Sequence, residues 1–441
     1  MKDISLTTKS EFAAITKAVF AASTADDVFI GFNDEVKMTT RFANNQIIQN
    51  IVTRRPQLSI KVSFGEKVGW HRGDKFDSES LHAAVLQAEK IATVAPEDPQ
   101  HMPSLGALHH KKHPRFSEAT AQIEPQDFAE KVSAVVEKCK SAGVNGAGIF
   151  FASKTHVGVA SNKGLFAFEA LTSSSFSLTA TLADSTGWAM NSHRNFGSLA
   201  VKSGTQRAIE KANISRKPQE IEAGEYQVIL EPAAVAGLLA PVFWSLSAKD
   251  YHKGNSPYVG KLGKKIFDDN IQIRSAPEDD DLLGAAFDWE GMPFEETIWI
   301  ENGVLKNLLY DRFTAKEQGK KPLPYPSALK MSYSGTKAKD LQGLISNTNR
   351  GILVTNFWYI RYVSESDLSL TGMTRDGTFL IEDGKIVSGV KNLRWHDSPL
   401  RTLANISAAT EPMEAVNDEY GKMLLPCLKL PSFRFTSSTR F

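Results

Sequence analysis

The stretch Glu231 to Gly254 reads EPAAVAGLLAPVFWSLSAKDYHKG. Its apolar residues recur at Val235, Leu238, Leu239, Val242, Phe243 and Leu246, the spacing of one face of a buried or half-buried helix. Pro232 stands in the first turn, where its missing N–H would have had no partner. Pro241 falls inside the helix, withholding a donor and crowding the carbonyl of Gly237, a kink that costs ~3 kcal/mol. Between Ala233 and Asp250 there is no histidine, glutamate or cysteine. This is a helix without ligands.

What flanks it makes that absence informative. The runs Gln227–Leu239, Lys253–Ile273 and Gly284–Gly319 (QVILEPAAVAGLL, KGNSPYVGKLGKKIFDDNIQI and GAAFDWEGMPFEETIWIENGVLKNLLYDRFTAKEQG) resemble the C-terminal half of the TldD/PmbA family. In the family's TldD branch this helix carries H-E-x-x-x-H, two imidazoles and a general-base carboxylate around a catalytic metal. Aligning Leu238 and Leu239 with the family's paired leucines puts the motif at Ala240, Pro241 and Ser245, none of which supplies a metal ligand or a base. The resemblance therefore implies the PmbA (TldE) branch, which lacks the metal motif. It also implies no catalytic or metal residue in this chain, and a zinc or similar ion in a TldD-like partner.

Size and composition agree with a soluble protein. The 441 residues suffice for two or three domains with real cores. Lys+Arg 51 against Asp+Glu 50 leaves a formal charge of +1, so no global field draws the chain to nucleic acid or an acidic membrane. Two cysteines, Cys139 and Cys427, make no disulfide framework. No apolar run approaches the ~18–20 residues of a membrane helix, and MKDISLTTKSEF shows no apolar leader, so the cytoplasm is the expected location.

Along the chain, Ser10 precedes Phe12, Ile15, Val19 and Ala22, an amphipathic helix. Residues 27–70 then alternate polar with β-branched or aromatic residues, a meander of strands. Ser78 is positioned to cap a second helix carrying Leu81, Val85, Ala88 and Ile91, which makes the unit α-β-β-β-α. Ala95 to Phe116 reads as a long connection. Pro125 opens a third helix with Phe128, Val132, Val135, Val136 and Cys139 inward and Gly143 as its C-terminal cap. Strands meeting at a Ser161–Gly164 turn and a short helix before Arg216 follow. Beyond the helix at Pro232 come hairpins turning at Glu301-Asn302-Gly303 and Glu382-Asp383-Gly384. No internal repeat or low-complexity tract is visible. The expected fold is α+β: a mixed α/β N-terminal domain over 1–216, then a β-rich domain over 217–441 of metalloprotease-like fold without metal ligands.

Two segments are candidates for a substrate groove. Arg41, Asn44 and Asn45, within RFANNQIIQN, resemble the family's R-x-x-N-N-x-I-x-Q; amides and a guanidinium suit an extended peptide backbone, or equally a strand turn held by asparagine hydrogen bonds. Thr371, Gly372, Thr374 and Arg375 resemble the family's T-G-D-x-S element, with Met373 where the family has its aspartate. As a substrate-side loop they would face the chamber; as a structural turn they would not.

Other residues read as bland. Counting back from Leu430-Pro431-Ser432, the TldD-branch cysteine ligand would fall near Asn417, whereas Cys427 lies ten residues later in an apolar, strand-like LLPCLKL. His109, His110 and His113 form the one histidine cluster, opposed by Lys111 and Lys112. Asp279-Asp280-Asp281 reads as a solvated turn. Gly143–Gly148 follows a helix and precedes a strand, the wrong order for a phosphate loop, and no G-x-S-x-G elbow occurs.

Three functions are thus in play. The first is the non-metal subunit of a TldD/TldE-type heterodimeric metallopeptidase acting on extended or unfolded peptides, with a homodimer as a further arrangement and no direct nucleic-acid or membrane contact. The second is a stand-alone peptidase with a relocated site. The third is a non-enzymatic regulatory module of the gyrase-modulator kind.

Overall fold

The computed structural model describes residues 1, 4–417 and 421–438, the side chain of Asn417 excepted. Alternation of buried and half-exposed residues along Asp27–Ala43 sets the first sheet, which has six antiparallel strands. From one edge to the other they are Lys67–Gly73, Gln46–Phe64, Asp27–Ala43, Asn145–Ser161, Phe166–Thr181 and Thr186–His193. Every helix of this region covers one face. Val28, Ile30 and Phe32 meet the helices Lys9–Ala22 and Ser78–Val94, while Val36, Met38 and Phe42 meet Pro125–Ser141 and share a core with Val201–Ile214.

The expected α-β-β-β-α unit is present, and it occurs twice, which corrects the reading of no repeat. Helix Lys9–Ala22, three strands and helix Ser78–Val94 recur in the same order as helix Pro125–Ser141, three strands and helix Val201–Ile214. The two strand trios are mirrored about the central Asp27–Ala43/Asn145–Ser161 pair. Thr8 caps the first helix through a reciprocal Thr8–Glu11 box. The cap of the second helix differs from expectation by one residue, being Asp77 and not Ser78. Carboxylate or hydroxyl, the nearest oxygen preceding the first turn satisfies its orphan N–H groups. Pro125 and Gly143 stand where expected, the latter at φ 67°.

The strands of the other two sheets all follow Arg216. One sheet has six strands, with Ile271–Ser275 and Leu329–Tyr333 at its centre. In the other, Arg350–Ser364, Gly224–Leu230, Leu428–Ser438, Leu393–Asp397 and Ser369–Glu382 pair in that order, and the last pairs back onto the first. Closure removes edges from this ring. Its core is aromatic: Phe433 lies 5.4 Å from Phe357 and 5.5 Å from Trp395, ring centre to ring centre. Both Asn302-Gly303 and Asp383-Gly384 turn with positive φ, the type I′ geometry that fits strand twist. LLPCLKL is not one strand: Gly421–Leu425 ends before Pro426, and a new strand starts at Leu428. No helix among the described residues is long and apolar enough to cross a membrane.

Candidate functional site

Helix Pro232–Trp244 lies between the two C-terminal sheets, against Arg350–Ser364 on one side and Met413–Asn417 with Gly421–Leu425 on the other. Every residue from Pro232 to Phe243 is buried. The spacing predicts one apolar face. A helix packed from both sides is apolar all round, and Ala233, Ala234, Ala236 and Ala240 fill the interval between the larger side chains.

Around the last turn the polar groups are hydroxyls. Pro241 O accepts from Ser245 Oγ at 2.9 Å, from Ser245 N at 3.2 Å and from Tyr362 Oη at 3.4 Å. Tyr258 is fully buried and donates to Val242 O at 2.9 Å, and burial pushes its phenol well above the ordinary tyrosine range. Ala240 and Pro241 carry no donor atom toward a metal, and Ser245 Oγ is committed to its own helix. His252, just beyond, spends Nε2 on Tyr310 Oη at 3.2 Å. Among the described residues no three His, Cys, Asp or Glu side chains are grouped to hold an ion. This donor set does not fit a hydrolytic metal.

Charge is buried at the other end of the helix. Glu231, the N-cap residue, receives Lys211 Nζ at 2.7 Å on both carboxylate oxygens, and Thr355 Oγ1 donates to it at 3.2 Å. Lys211 comes from the helix Val201–Ile214, so the pair ties the first sheet's helices to the central helix. Burial lowers the lysine's pKa against the pull of Glu231. Asp376 lies close by, its carboxyl raised by burial and opposed by Arg375, Thr186 and Lys211. Sequence reasoning missed this cluster; its one local signal was an acid directly before a helix-opening proline.

The candidate groove residues fall into two separate places. Asn44 and Asn45 form the turn between the first two strands, at φ 51° and 56°. Asn45 Nδ2 donates to Val144 O at 2.9 Å, Asn45 Oδ1 accepts from Gly146 N at 2.8 Å, and Asn44 Oδ1 accepts from Asn145 Nδ2 at 2.9 Å. Their side chains therefore clamp the neighbouring strand, and Arg41 remains exposed. In the second place, Thr371 Oγ1 donates to Trp395 O at 2.8 Å and Thr374 Oγ1 accepts from Leu393 N at 2.9 Å. A Cβ on Gly372 would meet the Trp395 indole at 2.9 Å. Arg375 is exposed, stacked 4.4 Å over Trp358 and 3.4 Å from Asp376. No hydrogen bond or ion pair among the described residues joins the two places.

The remaining candidates are also placed. Cys427 packs beside Ile229, Leu353 and Phe379, and burial pushes its thiol up to about 12. His113 faces Asp280 at 3.2 Å, Lys111 pairs with Glu278 at 3.1 Å and His110 Nε2 meets Gly291 O at 2.9 Å, so the histidines diverge onto separate partners. Asp279 pairs with Lys330 at 2.7 Å. The side chain at Asn417 lies outside the described residues.

Comparison with known proteins adds the family. Residues 223–437 match the family model of the PmbA/TldA metallopeptidase C-terminal domain. The fold is that of TldE from Thermococcus kodakarensis, with a TM-score of 0.86 and 18% identity over 97% of this chain and 100% of that one. A Thermotoga maritima protein described as a candidate modulator of a DNA gyrase is equally similar, at 0.86 and 19% over 96% and 100%. A metalloprotease of Methanothermobacter thermautotrophicus is 26% identical over 215 residues, 46% of each chain, so the match spans about half of that relative.

Proposed function

From the TldD/PmbA family, to which this chain belongs through its C-terminal domain, we propose the role of a subunit that builds the chamber while a partner performs the hydrolysis. The observation carrying this reading is the identity of three residues, two inside one buried helix and the third at its C-terminal cap. Where the family's metal-bearing branch has H-E-x-x-x-H, this chain has Ala240, Pro241 and Ser245. The side chains of alanine and proline have no lone pair to offer, and the serine hydroxyl bonds to the carbonyl of Pro241. A zinc-type site needs three protein ligands and an open position for the water it activates. The likeness to a TldE structure supports the same reading.

In this reading residues 1–216 and 217–441 are the two domains, the partner is a TldD-like subunit that carries the metal, and the substrates are extended or unfolded peptides in the cytoplasm. Arg41 and Arg375 are the candidate groove residues whose charged ends are exposed.

Co-expression with a metal-bearing TldD-like subunit tests it. The pair is expected to elute as one species holding one metal per pair, whereas the isolated chain holds none tightly and cleaves no peptide. One firmly held zinc per isolated chain, or peptidase activity of that chain surviving chelation, sinks the proposal. A regulatory module is the second reading, favoured by the description of the Thermotoga neighbour. Co-purification with gyrase in place of a TldD-like subunit would turn the choice toward it.

A further inference from the structure

Gly31 stands at mid-strand in Asp27–Ala43 with no structural demand for a glycine. Gly69, Gly148, Gly158 and Gly187, in the same sheet, could not carry a Cβ: it would lie 2.0, 2.1, 2.6 and 2.1 Å from a neighbouring atom. A Cβ on Gly31 would meet nothing nearer than 3.9 Å, and its backbone is ordinary strand. Glycine inside a strand costs stability, and one that no packing explains marks close approach by something else. In the second α-β-β-β-α unit the corresponding position, Ile149, keeps a large side chain.

The space above Gly31 is a trough of about 500 Å³ on the face of the sheet that the helices leave uncovered. This lies in the ~300–1,000 Å³ range of small-ligand sites. Strand register makes the floor: Gly31 pairs with Ser59, and Ser59 with Arg72, so the floor is lowest at Gly31 and Ser59 and rises toward Arg72. Trp70, 51% exposed, walls it on the sheet side, and Trp289, 69% exposed, walls it from the C-terminal region. Trp289 is braced by Tyr325, stacked at 4.6 Å and 9°. Asn33 and Gln57 lie abreast in the next row, and neither amide has a hydrogen-bond partner among the described residues.

The geometry points to a docking trough for an extended peptide that seats a bulky apolar side chain over Gly31, between Trp70 and Trp289. Asn33 and Gln57 then hydrogen-bond the peptide backbone, as paired amides can. Aromatic walls supply large contact area with little side-chain entropy to lose. This rests on the peptide-handling reading above and assigns the isolated chain its own binding preference.

The test uses the full chain and a fluorescein-labelled nonapeptide of glycine and serine with one central tryptophan, beside the same peptide with central alanine. Anisotropy should show at least tenfold tighter binding of the tryptophan peptide. Gly31→Val adds a strand-favouring side chain to open space, so it should keep the melting temperature while weakening that binding at least tenfold. Trp289→Ala, a surface change, should do the same. Equal binding of both peptides, no binding at all, or wild-type binding by Gly31→Val overturns the assignment. So does displacement of the peptide by chitohexaose, which would make the trough a sugar site. Metal content and pairing with a TldD-like subunit are measured separately, so the trough can fail while the subunit role stands.

Discussion

Gly69 and Gly187 are 118 residues apart (187 − 69) and occupy the same place in the two halves of the N-terminal sheet. A Cβ on Gly69 would lie 2.0 Å from Ala88 O and 2.5 Å from Ala92 N; on Gly187, 2.1 Å from Ala208 O and 2.5 Å from Ala212 N. At each edge strand the missing side chain lets helix backbone descend onto the sheet. Alanine at either position must push a whole helix outward. Each substitution should cost about 3 kcal/mol, the top of the overpacking range, with similar losses at the two sites. Urea denaturation measures both, and a loss below about 0.5 kcal/mol at either, a size typical of inconsequential surface changes, would mean the helix slides aside freely.

The Lys211–Glu231 contact predicts strong non-additivity. Lys211→Met or Glu231→Met alone leaves the other charged group buried without its partner, and should cost about 3–5 kcal/mol. The double substitution removes both charges and should cost much less than the sum, since two matched buried groups leave together. A double-mutant cycle in urea reads the coupling. Single losses that simply add would show that the two side chains do not depend on each other.

The N-terminal unit was legible because alternation along Asp27–Ala43 and helical spacing in Phe12–Val19 and Phe128–Cys139 are local signals. The repeat was not legible, because two copies of a topology need share only their burial pattern; Gly31 of the first copy corresponds to Ile149 of the second, and little beyond Gly69 and Gly187 betrays the relation. The closed ring was equally hidden. Its parallel pair joins Val228 to Ile352, and no local period reports a partner so far along the chain. At the central helix, residue identity was enough to see that Ala240, Pro241 and Ser245 hold no metal. The buried charge at its start was invisible, because Lys211 and Glu231 meet only once two layers are packed.

The cysteines should be inert in the native protein. Both are buried, Cys139 with its thiol pushed up to about 11 by burial and Cys427 to about 12. The thiolate is the reactive form, and both access and ionisation are withheld here. At pH 8 a thiol-exchange reagent should label neither in buffer and both in concentrated urea. Fast native labelling at Cys427 would place that sulfur at a surface and contradict its packing role.

The last prediction concerns acid. Asp34 is fully buried beneath the first helix and accepts four hydrogen bonds: Thr7 N at 2.8 Å, Thr7 Oγ1 at 2.9 Å, Arg54 Nε at 3.1 Å and Arg54 Nη2 at 2.8 Å. Burial alone would raise its pKa, but the arginine and threonine bonds outweigh it and hold the carboxyl below the ordinary aspartate value. A depressed folded-state pKa means the unfolded chain takes up its proton first as pH falls. The stabilisation is therefore complete above the unfolded value of about 3.9 and is lost as pH drops through the folded value. Asp34→Asn should cost about 1.5–3 kcal/mol at neutral pH, the range for hydrogen bonds to a charged group. Its deficit relative to wild type should shrink steadily in urea titrations at pH 5, 4 and 3. A deficit that stays constant down to pH 3 would mean that the Asp34 charge contributes nothing to holding Thr7 and Arg54 against the sheet.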